Sequence, residues 1–315
     1  MAKVLVSVAL AVVVCSQTGA RGDARDTETR TFAVPLTSAF AGQARSAGTL
    51  PSTPPADLPS YPFEGVPGWL AFATTPQWRD EPYGWSPVSA SNHVALFADD
   101  LRPWEATPTG RRFVGVGTSG TDPLVFSGVG RHKYGCDNNT EEMATFSGRP
   151  MAEGPVWLLP AGATGVVSVP ITVTSGAGAD AIGAWSRVPP SVRDEARKAI
   201  AARAYMAGRV SVAQYATGKI AVKTVVVVDG RVTSERIDTK YSMGGSTPDS
   251  VDLNSRGHSD MGIPQPIGAF RFGAEWPFVI VLWNRAYEGN RFNVLRVDAA
   301  GARLIDGPYV YYCAF

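Results

Sequence analysis

The sequence predicts an α+β protein that consists mostly of antiparallel β-strands. Short apolar or alternating runs fill residues 61–180, one amphipathic segment follows near residue 190, and longer strand-like runs continue to the last residue. Glycine and proline, with 33 and 24 residues in a chain of 315, both exceed their usual shares of about 7% and 5%. Since both residues favour turns, many short strands are expected rather than long helices.

The first folded region, residues 61–180, is predicted to be a β-rich domain of the sandwich or barrel type. Its runs are GWLAFAT, HVALFAD, RFVGVGT, PLVFSGVG, EMATFSG, GPVWLLP and GVVSVPITVT. Gly, Pro, Asp or Asn separates most of them, as in short antiparallel strands joined by turns. The stretch SGAGADAIGAW, rich in small residues, is interpreted as a linker at the end of this region.

The segment VRDEARKAIAARAYM, which follows a Pro-Pro pair, predicts a helix. Ser191 suits the N-cap, and Asp194 stands three residues later in the capping-box position. Apolar side chains recur at helical spacing, which gives the helix one face to pack on a sheet. Gly208 is placed to end it.

Long strands are predicted after this helix. The run KIAVKTVVVV, the pair Asp229-Gly230 and the run RVTSERIDTKY indicate a β-hairpin with a type I′ turn. WPFVIVLWNRAY, RFNVLRV, ARLID and PYVYYCAF follow as strands, with turns at 288–290 and 298–301. One helix followed by a curved antiparallel sheet predicts a roll-like second part over residues 185–315, packed on the first.

Charge and motifs exclude several classes of function. The net charge is +1 and the Lys and Arg residues are spread along the chain, so a nucleic-acid-binding surface is not expected. The P-loop and Rossmann fingerprints are both absent, so no nucleotide cofactor is expected. His93, His132 and His258 lack the H-x-x-x-H spacing of zinc sites, and no metal is predicted.

The N terminus predicts export. The apolar run Val4–Val14 follows Lys3 and is shorter than the roughly 20 residues that span a bilayer, which is typical of a signal-peptide core. Residues 1–20 are therefore predicted to be a signal peptide, and the mature chain to have no transmembrane segment. A lipid anchor at Cys15 is the alternative, although Val14 stands where a small residue is usual. The polar, proline-rich residues 21–60 predict a flexible tether.

The segment RHKYGCDNNTEE, residues 131–142, combines residue types of a catalytic or metal site. Without the signal peptide only Cys136 and Cys313 remain, and cysteines in an oxidising compartment tend to pair, so a Cys136–Cys313 disulfide between the two parts is predicted. Two separate thiols, or a catalytic Cys136 with His132 and Asp137, are the alternatives. The acids and amides here are interpreted as a turn, since the EF-hand pattern is not met.

Within the long polar loop 242–266, the segment SRGHSDMG, residues 255–262, is the preferred position for a site in the second part of the chain. The loop is longer than a simple connection requires, and it carries His258 with Ser246, Asp249 and Asp252 nearby. The adjacent residues His258, Ser259 and Asp260 do not form a triad, because neighbouring side chains cannot line up for proton relay.

A second candidate for binding is the turn-rich loop PQWRDEPYGWSP, residues 76–87. Trp78, Tyr83 and Trp85 would stack on sugars or anchor a partner protein if their rings face solvent. The alternative is that these rings cap the end of the β core.

These observations favour an exported, non-catalytic binding or structural module of the periplasm, cell envelope or exterior. A polysaccharide or an envelope protein would be its partner. A secreted hydrolase is the first alternative, with His132, Asp137 and His258 meeting only in the folded chain. A carbohydrate-binding protein that uses the loop tryptophans is the second.

Overall fold

The computed structural model of the chain describes residues 50–73, 93–133, 140–176, 183–241, 249–253, 261–274, 277–286 and 289–311. Antiparallel strands make up most of this part, with two short α-helices and one 3-10 helix. The predicted fold class is confirmed: the chain is α+β and mostly antiparallel, with a barrel first and curved sheets after it.

The first strands close into a six-stranded barrel. They are β1 (Trp69–Ala73), β2 (His93–Leu96), β3 (Arg112–Gly117), β4 (Gly120–Lys133), β5 (Thr140–Gly148) and β6 (Gly154–Pro160). Their order around the barrel is β1-β2-β5-β4-β3-β6, and β6 pairs again with β1. The short helix α1 (Arg102–Glu105) places Trp104 inside, 5.8 Å from the Phe113 ring and 5.5 Å from the Phe146 ring. Side chains from all six strands fill the interior, so the barrel is a packed core.

The remaining strands form two sheets. We call the first the outer sheet, with the order β12-β11-β10-β9-β8, and the second the central sheet, with the order β16-β15-β14-β13-β7 and β17 paired to β15. The strands are β7 (Val166–Ser168), β8 (Ile171–Ser175), β9 (Ala202–Ala207), β10 (Val210–Ala216), β11 (Ala221–Val228), β12 (Arg231–Thr239), β13 (Gln265–Phe272), β14 (Phe278–Arg285), β15 (Gly289–Asp298), β16 (Gly301–Ile305) and β17 (Tyr309–Tyr311).

The central sheet is buried on both faces. One face packs on the barrel: the Phe292 and Phe72 rings lie 4.3 Å apart, and Phe270 lies 5.6 Å from Trp157. The other face carries a row of aliphatic side chains, Leu282 among them, that pack on the outer sheet. Burial on both faces explains why the first six residues of β14, FVIVLW, are all apolar.

The outer sheet is covered on its far side by two helical segments. These are the 3-10 helix Gly183–Arg187 and helix α2 (Pro190–Arg197), which bury Trp185 and Val192 against the sheet. The molecule thus stacks barrel, central sheet, outer sheet and helix in that order.

The predicted helix is half as long as expected, and this is a correction. Helix α2 ends at Arg197, and Pro189 rather than Ser191 is its N-cap residue. Residues 202–207 form strand β9, which pairs with β8 and β10 on its two sides. The alanines of this stretch favour a helix locally, but two partner strands satisfy every backbone group of a central strand, and this tertiary pairing prevails.

The predicted type I′ hairpin is confirmed. Val228 at the end of β11 pairs with Arg231 at the start of β12. Asp229 has φ 49° and Gly230 has φ 77°, the left-handed conformations that this turn requires. Arg209 donates to the Asp229 carboxylate at 3.0 Å and ties the turn to the start of β10.

The boundary between the barrel and the two sheets lies between β6 and β7, earlier in the chain than the predicted boundary near residue 180. Strands β7 and β8 fall within the first predicted region, yet β7 pairs with β13 and β8 pairs with β9. Residues 50–60, expected as the end of the tether, pack on the barrel instead. Leu58 is buried in its core, and Asp57 forms an ion pair of 2.9 Å with Arg111. None of the helices in the described ranges has the length and apolar character needed to cross a membrane.

Candidate ligand-binding cleft

Five polar side chains cross four neighbouring strands of the outer sheet, on the face that meets the central sheet. We call them the polar row: Arg203, Gln214, Thr224, Arg236 and Asp238. Gln214 lies opposite Arg203 on β9 and opposite Thr224 on β11, and Thr224 lies opposite Arg236 on β12. Because directly opposite residues share a face of the sheet, the row is continuous from β9 to β12.

Hydrogen bonds connect the row from end to end. Arg203 Nε donates to Gln214 Oε1 at 2.8 Å. Gln214 Nε2 donates to Thr224 Oγ1 at 3.3 Å and to the Pro264 carbonyl at 2.7 Å. The Thr224 hydroxyl donates its single proton to Asp238 Oδ2 at 3.0 Å. The row is therefore fixed in one arrangement before any ligand arrives.

The row runs from the interior to the surface. Arg203 is 3% exposed and Gln214 is fully buried. At the other end Arg236 forms an ion pair with Asp238, and its side chain is 35% exposed. Polar groups of this kind are buried only where partners offset the loss of water. The polar row is therefore the main candidate for a functional site between the outer and central sheets.

Four members of the polar row, Gln214, Thr224, Arg236 and Asp238, line one wall of a narrow cleft between the two sheets, and Arg203 lies behind Gln214. Ser234 completes this wall, and the opposite wall consists of Leu282, Leu295 and Leu304 from β14, β15 and β16. The cavity volume is about 40 Å³. One water needs about 10–15 Å³, so the cleft has room for about three water-sized groups. A branched or cyclic group would not fit unless the walls moved.

Apolar clusters lie on both sides of the row along the strands. Val212 and Val226 belong to the cluster shared with the central sheet. Ala216, Val222 and Leu253 belong to a smaller cluster at the other end of the strands. The polar groups are thus held between two apolar layers, which keep water away from their inner end.

A second polar cluster lies on the opposite face of the outer sheet, under helix α2. Tyr215 donates to Glu195 Oε2 at 2.6 Å, and Lys223 Nζ contacts the same oxygen at 3.2 Å. Lys223 also forms an ion pair with Glu235 at 3.0 Å. These contacts join α2, β10, β11 and β12.

Each group of this second cluster is held in its resting protonation state. The hydrogen bond from Tyr215 lowers the pKa of the Glu195 carboxyl. Burial, aided by the bond to Glu195, raises the pKa of Tyr215 to about 12. The hydrogen bond to Glu235 raises the pKa of Lys223. A general base must give up and regain a proton near neutral pH, so we assign this cluster to stability.

Most residues predicted from the sequence as site candidates lie outside the described residues. These are Cys15, Trp78, Tyr83, Trp85, Cys136, Asp137, Ser246, His258 and Cys313. The Cys136–Cys313 disulfide, the thiol alternatives and the exposed tryptophans therefore stay predictions. The backbone of His132 lies in β4, where it pairs with Glu141, so residues 131–133 form a strand and not a helix.

The polar loop 242–266 contributes to the cleft through a residue that the sequence did not single out. The Pro264 carbonyl accepts from Gln214 and lines the cleft. Asp249 and Asp252 are exposed, whereas Val251 between them is buried against the end of the outer sheet. Within the described ranges no three His, Cys, Asp or Glu side chains come together as a metal site.

The polar row itself was missed. One signal was available: Gln214 interrupts the otherwise apolar or small run VSVAQYA at an inward position. Arg203 could not be recognised, because its segment was interpreted as helix. Comparison with protein-family models, with curated proteins and with solved structures found no match.

Proposed function

We propose that this protein is an exported, non-catalytic binding module whose ligand site is the cleft between the outer and central sheets. The observation that carries the proposal is the pair of unlike walls, the polar row on one side and Leu282, Leu295 and Leu304 on the other. A ligand that fits such a cleft has a polar end and a slender apolar part.

The chemistry of the cleft favours binding over catalysis. Thr224 donates to Asp238, which places a hydroxyl beside a carboxylate. A threonine nucleophile is normally activated by an amine or imidazole base, and none of the described residues that line the cleft is His, Lys or Cys. The hydrogen bonds that hold the row suit a rigid recognition surface.

Export and the crosslink belong to the same proposal. The signal-like residues 1–20 and the two cysteines that remain after them support a secreted, periplasmic or envelope location. Expression of the full chain with its own N terminus, followed by intact mass measurement with and without reductant and alkylation, tests both. We expect cleavage near residue 20 and no free thiol before reduction. An uncleaved chain in the cytoplasm with three alkylated thiols, Cys15 included, would contradict this part.

Binding is tested by NMR titration of the mature protein with two six-carbon probes, hexanoate and hexanamide. We expect at least one of them to shift the amide signals of β10, β11 and β12 around the cleft in a saturable way. Ser234→Leu, which narrows the cleft, should abolish the shifts. Thr239→Leu, at an exposed position of the same strand, is the matched control and should keep them. If neither probe binds the wild-type protein, the cleft is not a site of this kind.

A further inference from the structure

We infer that the group bound in the cleft carries one negative charge, a carboxylate, which contacts Arg236 and is balanced by Arg203 behind it. The inference rests on the proposed function and narrows its ligand to unbranched monocarboxylates. Three observations carry it: the charge of the polar row, the buried guanidinium of Arg203, and the accessible guanidinium of Arg236.

The polar row carries an excess of positive charge. It contains two arginines, Arg203 and Arg236, and one carboxylate, Asp238. Asp238 forms an ion pair with Arg236, and no carboxylate among the described residues forms an ion pair with Arg203. One positive charge of the row is therefore not neutralised by the described residues.

Arg203 is the unbalanced charge, and it is buried. Its Nε donates to Gln214 Oε1, its guanidinium carbon lies 5.4 Å from the centre of the Tyr205 ring, and it is 3% exposed. Its buried Nη2 has no hydrogen-bond partner. A buried guanidinium that no carboxylate neutralises is costly. An anion bound beside Gln214, which lines the cleft and accepts from Arg203, offsets part of this uncompensated charge.

Arg236 supplies the direct contact. It lies on the cleft wall, where its side chain is 35% exposed, and its described partner is Asp238. A guanidinium has five N–H donors in a planar fork, so donors remain for a second carboxylate beside Asp238. Paired N–H donors match the two oxygens of a carboxylate, which is why we name this anion rather than a monodentate one.

The opposite wall and the size of the cleft define the rest of the ligand. Leu282, Leu295 and Leu304 face the row, so atoms next to the carboxylate must be apolar. A volume of about 40 Å³ holds about three water-sized groups. The cleft therefore takes the carboxyl end of an unbranched chain, and the rest of the chain extends out of it. A short linear fatty acid, or the carboxyl end of a longer one, combines a single carboxylate with a slender apolar chain.

The experiment compares hexanoate with hexanamide, which has the same length and shape but no charge. We expect hexanoate to bind about tenfold tighter than hexanamide, a difference of about 1.4 kcal/mol. In Arg236→Gln the preference for hexanoate over hexanamide should disappear. Arg231→Gln removes the same charge from the same strand outside the cleft and should keep the preference.

Each outcome has a distinct meaning. Equal binding of the two probes would overturn the carboxylate while leaving the cleft as a binding site. If neither hexanoate nor hexanamide binds the wild-type protein, the proposed function itself is wrong. A preference that persists in Arg236→Gln would overturn the assigned contact. Arg203→Met should also weaken the preference, provided its circular dichroism is native. If that variant does not fold, Arg236→Gln decides.

Discussion

Tyr215 on β10 and Glu195 on helix α2 are joined by a hydrogen bond of 2.6 Å, in which the buried phenol donates to the exposed carboxylate. Lys223 reaches the same carboxylate oxygen from β11. The pair therefore fastens the helix to the sheet whose other face forms the cleft.

We expect Tyr215→Phe to reduce the free energy of unfolding by about 1 kcal/mol, because the change deletes a charge-assisted hydrogen bond whose acceptor is partly hydrated. Urea denaturation measures the loss. Tyr61→Phe is the matched control, since the Tyr61 hydroxyl is buried with no hydrogen-bond partner, and this variant should be as stable as wild type or more so. Equal losses in both variants would mean that the contact with Glu195 contributes nothing specific.

Alkaline pH should destabilise the protein through its buried tyrosines, most strongly through two of them. Burial raises the pKa of Tyr205, and that of Tyr215, from 10.0 to about 12. A group whose pKa is raised by folding contributes stability that is complete below its unfolded pKa and is lost as pH rises through the folded value. We therefore expect the free energy of unfolding to fall between about pH 10 and pH 12.

The double variant Tyr205→Phe/Tyr215→Phe should show a shallower fall over this range than wild type. Tyrosinate absorbance of the folded protein provides an independent measurement, and fewer tyrosines should titrate above the ordinary pKa in the double variant. A fall as steep as that of the wild type would assign the alkaline sensitivity to other groups.

The polar row should behave as one network. Gln214→Leu leaves Arg203 Nε and the Pro264 carbonyl without their partner, and we expect a loss of about 3 kcal/mol. Thr224→Val removes a hydroxyl with little change of shape and should cost about 1–2 kcal/mol. The two losses should not add, since the residues are bonded to each other, and the double variant should show a coupling of about 1 kcal/mol.

Val212→Ala is the control for this double-mutant cycle of Gln214 and Thr224. It removes an apolar neighbour on the same face of the sheet and should couple only weakly with Thr224→Val. Additive losses for Gln214→Leu and Thr224→Val would show that the hydrogen bonds of the row act separately.

The barrel and the two sheets should unfold in one transition. Phe292 of the central sheet packs on Phe72 of the barrel at 4.3 Å and is 2% exposed. Phe292→Ala should cost about 3–5 kcal/mol and shift a single calorimetric transition of the whole chain. Phe113→Ala, which empties part of the barrel interior instead, is the control and should shift the same transition. Two separate transitions, with only one moved by each variant, would indicate independent domains.

The sequence by itself determined the local elements. Short runs bounded by glycine and proline became the strands of the barrel, and the Asp229-Gly230 pair became a type I′ turn. Both follow from backbone conformation and from the alternation of side chains, which depend on near neighbours along the chain.

Only the tertiary structure decided which strands meet and where polar groups converge. Residues 202–207 have a helical pattern but pair as a central strand, because two partner strands outweigh local propensity. Arg203, Gln214, Thr224 and Asp238 are spread over three dozen positions of the chain, and antiparallel pairing brings them into one row. The cleft exists because the central sheet places three leucines opposite that row, a relationship between distant strands that no local pattern encodes.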